Sequence, residues 1–269
     1  MVKKDTKTQS WRRTFPYMGL LALLLWPTPQ RAQHLVAEGT TTEASATGRL
    51  VDALSGEEVI SRMIENNQMR AERLSGYSAI RKYEIQNSDG KVSAQAVVQE
   101  IYRAPGTKTF SKISEQGSAV VRHLVFDRLL QTEEDNSLNQ ERGYGTISPA
   151  NYRFTLLGTA DLEGRACYVF RATPIRPDRY SFDGKIWVDA QDFGIARISG
   201  QPAKKPSFWI KHAEFLRIYQ RIGGFWLPLR DETTVEMKAN GTKLFRIEHQ
   251  EYRIQVAGSP QTVAMDGGN

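Results

Sequence analysis

The 269 residues carry 36 Lys and Arg against 30 Asp and Glu, a formal charge of +6, with a single cysteine. Lys3, Lys4, Lys7, Arg12, Arg13 and Arg31, set against Asp5, place +5 of that charge in residues 1–32 and leave residues 33–269 near +1. The remaining arginines alternate with Glu and Asp rather than forming the one-sided cationic cluster a polyanion needs, which argues against nucleic-acid binding. Cys167 stands alone, so an intrachain disulfide and two-cysteine zinc or redox motifs are excluded.

Residues 1–32 read as an export leader: a basic stretch, an apolar run from Tyr17 to Trp26, and a Pro-rich polar segment Pro27–Gln33. A spanning helix needs roughly 20 apolar residues, and Pro27 and Pro29 stop this run well short of that. Cleavage is expected after Ala32. A lipid-modified cysteine would have to follow the cut, and Gln33 stands there, so the chain is not expected to be a lipoprotein. Arg12-Arg13-Thr14-Phe15 matches the core of a twin-arginine signal, but Pro16 and Tyr17 continue it poorly, which favours the general secretory route. Residues 33–54, rich in Thr, Ala, Ser, Gly and Glu without periodicity, read as a flexible tether.

Order is expected over 55–256. Ser55 with Glu58 makes a capping box, and Val59, Ile60, Met63, Ile64, Ala71 and Leu74 follow helical spacing, which predicts a helix over Glu57–Leu74. Beyond Gly76, strands separated by turn signals recur at nearly regular distances. The first three span Ser78–Gln86, Lys91–Arg103 and Lys108–Glu115. Ser118–Thr132 returns to helical spacing and predicts a second helix, followed by a loop over Asn136–Gly145 and a helical turn at Ser148-Pro149. Further strands fall near Arg153–Ala160, Arg165–Pro174, Gly184–Asp189, Gly194–Gln201, Ser207–Ile222, Phe225–Lys238 and Lys243–Val256. Gly223-Gly224 and Asn240-Gly241 supply the last two turns. Residues 257–269 read as a disordered tail.

On Phe225–Met237 the odd positions Phe225, Leu227, Leu229, Val235 and Met237 are apolar, while the even ones include Arg230, Glu232, Thr234 and Glu236. One face is therefore wet. About ten antiparallel strands of this kind, with only two helices, must curl around those helices or leave an apolar hollow suited to a greasy ligand. The fold class is α+β, mostly antiparallel β: an incompletely closed half-barrel with two helices as lid or plug.

Tests for catalysis return little. The histidines His34, His123, His212 and His249 are scattered without ligand spacing, so neither metal nor cofactor is expected. Asp189 and Asp192 flank a turn, where Asp is expected for turn chemistry alone. Ser88-Asp89-Gly90-Lys91 matches S-x-x-K literally, but the tetrapeptide is the turn of a hairpin and no S-D-N or K-T-G follows. Cys167 lies in an apolar strand and reads as a buried small hydrophobe. The aromatic residues Trp187, Phe208, Trp209, Phe215, Tyr219, Phe225 and Trp226 read as core and rim of a curved sheet rather than a stacking platform for single strands.

Gly184-Lys185-Ile186-Trp187-Val188-Asp189, followed by Asp192-Phe193-Gly194-Ile195-Ala196-Arg197-Ile198, resembles the signature hairpin of the outer-membrane lipoprotein-sorting (LolA-like) superfamily. Gly223-Gly224-Phe225-Trp226-Leu227-Pro228 is a second similar piece. The resemblance covers about Ser55 to Val256, and the long Asn136–Ser148 loop and the Lys204-Lys205 turn depart from its pattern. It implies an open antiparallel barrel with helices as a lid, whose apolar hollow holds lipid chains. It brings no catalytic residues.

The reading that follows is a soluble, non-catalytic periplasmic carrier or chaperone for lipid or lipoprotein acyl chains, monomeric, with transport partners in the inner or outer membrane. Alternation nominates Ile186, Val188, Phe208, Ile210, Leu227, Leu229 and Val235 as cavity lining, with Ile60, Met63 and Ile64 as lid. The alternative is an envelope-stress sensor or protein-interaction module on the same fold. A hydrolase would rest on Ser88 alone.

Overall fold

Ser55 caps the first described helix with a reciprocal pair of hydrogen bonds. Its hydroxyl accepts from the Glu58 N–H at 3.2 Å, and the Glu58 carboxylate accepts from the Ser55 N–H at 3.0 Å. Glu57 and Glu58 in the first turn and Arg70 and Arg73 in the last complement the helix dipole. The resulting helix α1 spans Gly56–Arg73 and buries one stripe, Val59, Ile60 and Met63. It stops where the chain turns extended at Leu74 and runs directly into a strand.

This computed structural model describes residues 54–117, 126–127, 130–131, 133, 146–178, 180–239, 241–258 and 262–264. The leader 1–32, nearly all of the tether 33–54, the loop 136–145 and most of the predicted second helix lie outside the described residues. Of that second helix, Phe126, Asp127, Leu130 and Gln131 are described, with Glu133 just past its end, and their backbone is helical.

The strands are β1 (Leu74–Asn87), β2 (Val92–Arg103), β3 (Thr107–Gly117), β4 (Tyr152–Leu162), β5 (Arg165–Pro174), β6 (Phe182–Asp189), β7 (Ile195–Pro202), β8 (Ile210–Ile222), β9 (Phe225–Met237), β10 (Gly241–Val256) and β11 (Thr262–Ala264). All eleven belong to one sheet, ten of them in the order β3-β2-β1-β10-β9-β8-β7-β6-β5-β4 and β11 beside β10. Every pairing is antiparallel, and the end strands β3 and β4 do not meet, so the barrel is open. Strand β1 brings the first and last long strands together by pairing with β10 from Leu74↔Val256 to Asn87↔Lys243. Within residues 257–269, predicted as a disordered tail, β11 is a strand whose three residues pair with Gln255, Ile254 and Arg253 of β10.

Alternation decides which side chains face inward. On β1 the buried series is Tyr77, Ala79, Arg81, Tyr83 and Ile85, and on β2 it is Ala94, Ala96, Val98, Glu100 and Tyr102. Three apolar clusters result. Helix α1 packs on β4–β8 through Val59, Ile60, Met63, Phe170, Ile186 and Val188. Phe126, with Leu130 against it, packs on Tyr83, Ala96, Val98 and Ile247. Tyr77, Tyr102, Phe225, Leu227, Tyr252 and Ile254 close one end. No helix among the described residues is long and apolar enough to cross a membrane.

Candidate functional site

The ten nominated cavity and lid residues do not meet in one place. Ile186, Val188, Ile60 and Met63 share the cluster under α1, with Ile64 packed against it. Leu227 is buried in the separate end cluster. Val235 is buried beside Ala213, its partner across β8–β9, and Ile210 is half-buried at the start of β8. Phe208 and Leu229 are exposed, at 74% and 37%. Each has a local reason. β8 begins at Ile210, and residues 207–209 form a turn held by Ile210 N–H to Ser207 O at 3.2 Å, so strand alternation does not reach Phe208. The β8–β9 register passes from Ile218↔Arg230 to Tyr219↔Pro228, which leaves Leu229 as the extra residue of a bulge.

The residues that carried the family resemblance form a bracket. Asp189 is fully buried and its Oδ1 accepts from the N–H groups of Gln191 and Asp192, both at 3.0 Å, while its Oδ2 takes the Arg165 guanidinium at 2.6 Å. Burial would raise the Asp189 carboxyl; Arg165 and these N–H donors hold it below its ordinary value instead. Asp192 then gathers three other elements. Its carbonyl accepts from Asn66 at 3.1 Å and from Arg70 on α1, and its carboxylate binds Arg221 at 2.6 Å and the Trp226 indole N–H at 2.9 Å. Gly194 is required for space, since a Cβ there would lie 2.0 Å from the Trp226 ring. The β6–β7 turn thus fixes the C-terminal half of α1 and the β8–β9 hairpin to one point. Among the described residues, α1 makes no other side-chain hydrogen bond to the sheet.

Between the apolar clusters the inner face is ionic. Arg81, 1% exposed, donates from Nε to Glu100 at 2.7 Å and from Nη1 to Glu133 at 2.8 Å, and Lys108 Nζ lies 2.9 Å from the other Glu100 oxygen. The Tyr77 hydroxyl donates to Glu100 at 3.1 Å. His249, paired with Arg81 across β1–β10, makes a 2.8 Å bond from Nε2 to Asp231, whose second oxygen takes the Arg217 guanidinium. Three cations face three carboxylates around the histidine, which is the condition under which buried charge is tolerated.

The protonation states follow from position. Burial opposes the Glu100 carboxylate, but Arg81 and Lys108 outweigh it and hold its pKa at about 2. Burial lowers the His249 imidazole, and the nearby Arg81 charge lowers it further against the opposing pull of Asp231. His249 is therefore neutral at pH 7. Its Nδ1 and the Glu133 Oε1 have no hydrogen-bond partner among the described residues.

This network was missed by the sequence reading although a signal existed. Asp231 and Thr233 interrupt the apolar odd positions of β9, and Arg81 interrupts those of β1. Such breaks mark inward polar groups when both flanks stay buried.

The remaining chemistry is sparse. Ser88 sits in the exposed β1–β2 turn, where the Lys91 N–H donates to Asp89 at 3.0 Å. His212 is exposed on β8 and pairs with Glu214 at 2.8 Å. Cys167 is buried, and burial together with nearby Asp189 pushes its thiol up to about 11. Among the described residues no three His, Cys, Asp or Glu side chains gather as metal ligands. An open cleft of about 440 Å³ over β5–β8 is lined by Arg171, Asp183, Lys185, Glu214 and Trp187, a lining unlike an acyl-chain pocket.

The described residues thus define an α+β protein of mostly antiparallel strands: an open half-barrel with a helix clasped against its inner face. No family model and no curated protein matches the chain. Among solved structures it is similar to a LolA superfamily protein from Nitrosomonas europaea, at 9% identity over 76% of this chain and 94% of that one, with a TM-score of 0.40. It is also similar to a DUF1329 family protein from Desulfovibrio piger, at 14% identity over 76% and 94% of the two chains, with a TM-score of 0.36. The MucA/MucB complex of Pseudomonas aeruginosa matches at 11% identity over 71% and 92%, with a TM-score of 0.24. Similarities this weak say nothing about ligand or partner.

Proposed function

We propose that this chain is an exported, non-catalytic binding protein of the cell envelope, which takes lipid or lipoprotein acyl chains between α1 and strands β4–β8. The observation that carries the reading is the attachment of α1. Its Val59, Ile60 and Met63 cover an apolar sheet face by side-chain packing, joined by Arg62 over the Phe193 ring at 5.3 Å, while its side-chain hydrogen bonds to the sheet, from Asn66 and Arg70, sit in its C-terminal half. The N-terminal half can lift without breaking a hydrogen bond to the sheet.

The magnitudes are compatible. Exposing three such side chains costs about 5–9 kcal/mol, and about twelve buried methylenes of an acyl chain return about 10 kcal/mol. The ligand would lie on the apolar half only, because the ionic centre around Arg81 and Asp231 excludes it. The leader over 1–32 supports export, and periplasmic residence follows from it in this reading.

A second reading is favoured by one feature. Strand β4 ends the sheet, and residues 155–159 along it are exposed, with Leu156 at 40% and Leu157 at 52%. A protein partner adding a strand there would make the chain an interaction module or envelope-stress sensor. Native mass spectrometry of the protein purified from its own envelope separates the two. Co-purified lipid supports the carrier; a lipid-free mass with a bound protein supports the sensor and overturns the carrier.

A further inference from the structure

At the end of the sheet opposite the Asp192 bracket, the structure exposes what a buried-core reading of its aromatics would hide. Phe208 and Trp209 in the β7–β8 loop are 74% and 55% exposed and stand edge to face, with ring centroids 5.5 Å apart. Large aromatics left in water are unusual and mark a contact surface. The Lys238 ammonium lies 3.4 Å from the Phe208 ring centroid, contributed by the neighbouring β9–β10 turn.

This tip is built rather than loose. The Lys238 N–H donates to Trp209 O at 2.9 Å, joining the β9–β10 turn, and the Ala203 N–H donates to Ser181 O at 2.9 Å, joining the segment that enters β6. Trp209 N–H also donates to the Ser207 hydroxyl at 3.1 Å. The same loop carries Lys204 and Lys205, both exposed and without an acidic partner among the described residues. Arg176 and Ile175, 43% exposed, stand on the adjoining β5–β6 segment. The nearby Glu236 is already matched by Lys211 at 2.9 Å. Asp178 on the same segment offsets one charge, so Lys204, Lys205, Lys238 and Arg176 still leave two aromatic rings surrounded by an excess of positive charge.

We propose that this tip docks the protein onto an anionic phospholipid surface, with Phe208 and Trp209 entering the interfacial layer and Lys204, Lys205 and Lys238 meeting the headgroups. Aromatic rings with a polar edge favour the level of the headgroups, and lysines beside them reach the phosphates while their stems stay with the apolar boundary. Each lysine near such a surface strengthens binding about fivefold, more weakly as salt rises. The docking does not depend on what the face under α1 binds.

A local reporter tests it in the full chain. Ala239→Cys, at an exposed position beside Lys238, labelled with an environment-sensitive dye reads the tip alone, because Cys167 is buried and its thiol is held protonated at neutral pH. With vesicles of phosphatidylglycerol and phosphatidylcholine, the dye is expected to shift to the blue and brighten several-fold, and pure phosphatidylcholine is expected to leave it unchanged. Lys204→Gln with Lys205→Gln should move the titration to about 25-fold higher lipid, and Phe208→Ser should remove the blue shift at saturating lipid. Circular dichroism and a melting curve check that both variants fold as the parent does. A dye that stays at its aqueous maximum on anionic vesicles overturns the proposal, as does an unmoved titration in the lysine double variant. A shift produced by polyglutamate but not by vesicles overturns it in favour of an acidic protein partner.

Discussion

Both halves of the inner face pack apolar side chains on their helical partners, but they differ in where the polar ties lie: at the edge for α1, through Asp192, and in the buried centre for the chain around Glu133. Under α1, strands β4–β8 offer Phe170, Ile186 and Val188 to Val59, Ile60 and Met63, a contact that any well-fitting apolar surface could replace. At the centre, Arg81 of β1 holds Glu133, just beyond the predicted second helix, through a geometry that only a carboxylate in that position satisfies. Apolar packing makes a contact exchangeable, whereas buried charge makes it specific. The half that is free to exchange is where a ligand is proposed.

Glu100→Ala is expected to have the largest effect, because it leaves Arg81 and Lys108 facing each other without their shared carboxylate. A loss of about 3–5 kcal/mol in urea unfolding is expected, and a loss below 1 kcal/mol would show that the network is not the keystone of this half. The pH response should come from the same region. Glu100 has a folded pKa of about 2, below its ordinary value of 4.5, so its contribution is complete above 4.5 and is lost as pH falls toward 2. His249 has a lowered folded pKa, so the unfolded chain binds a proton below about 6.5 that the folded chain refuses, and stability falls in that window too. Stability measured from pH 7 to 3 should decline, and Glu100→Gln should flatten the lower part of the curve.

Met63→Ala under α1 should cost about 2–4 kcal/mol through a cavity, with the shape of the pH profile unchanged. If its profile flattens as well, the two halves are coupled and the comparison fails. Gly194→Ala forces a methyl group into the Trp226 ring and should cost about 1–3 kcal/mol, measured by thermal melting, while loosening α1 through the shared Asp192. Ile186→Val should cost only about 1 kcal/mol. It is the mildest probe of whether the apolar half is packed as tightly as its burial implies.

Much of the fold was legible because its signals are local. The capping box at Ser55 and Glu58 announces α1, and the glycines of the last turns announce hairpins that the structure contains. The hairpin Trp187–Gly194 was legible as a resemblance, and the structure shows why those residue types belong together: Asp189 ties the turn and Asp192 ties its neighbours. The candidate site was less legible. Phe208 was read as strand because Ile210 and Phe215 continue its apolar run, yet the strand begins two residues after it. Leu229 kept the right period but met a bulge that depends on the partner strand β8.

Alone, the sequence determined what short-range chemistry controls: where α1 starts, which segments pleat, that Phe225–Met237 has one largely apolar face, and that residues 33–269 are nearly neutral. The tertiary structure decided what requires distant segments to meet. Arg81, Glu100, Lys108, Glu133, Arg217, Asp231 and His249 become one compensated network only because β1 pairs with β10, the sheet curls their shared face inward, and Glu133 is brought onto that face. Charge inside a protein depends on what lies within a few ångströms of it, and for these side chains that neighbour is up to 168 positions away, the span from Arg81 to His249.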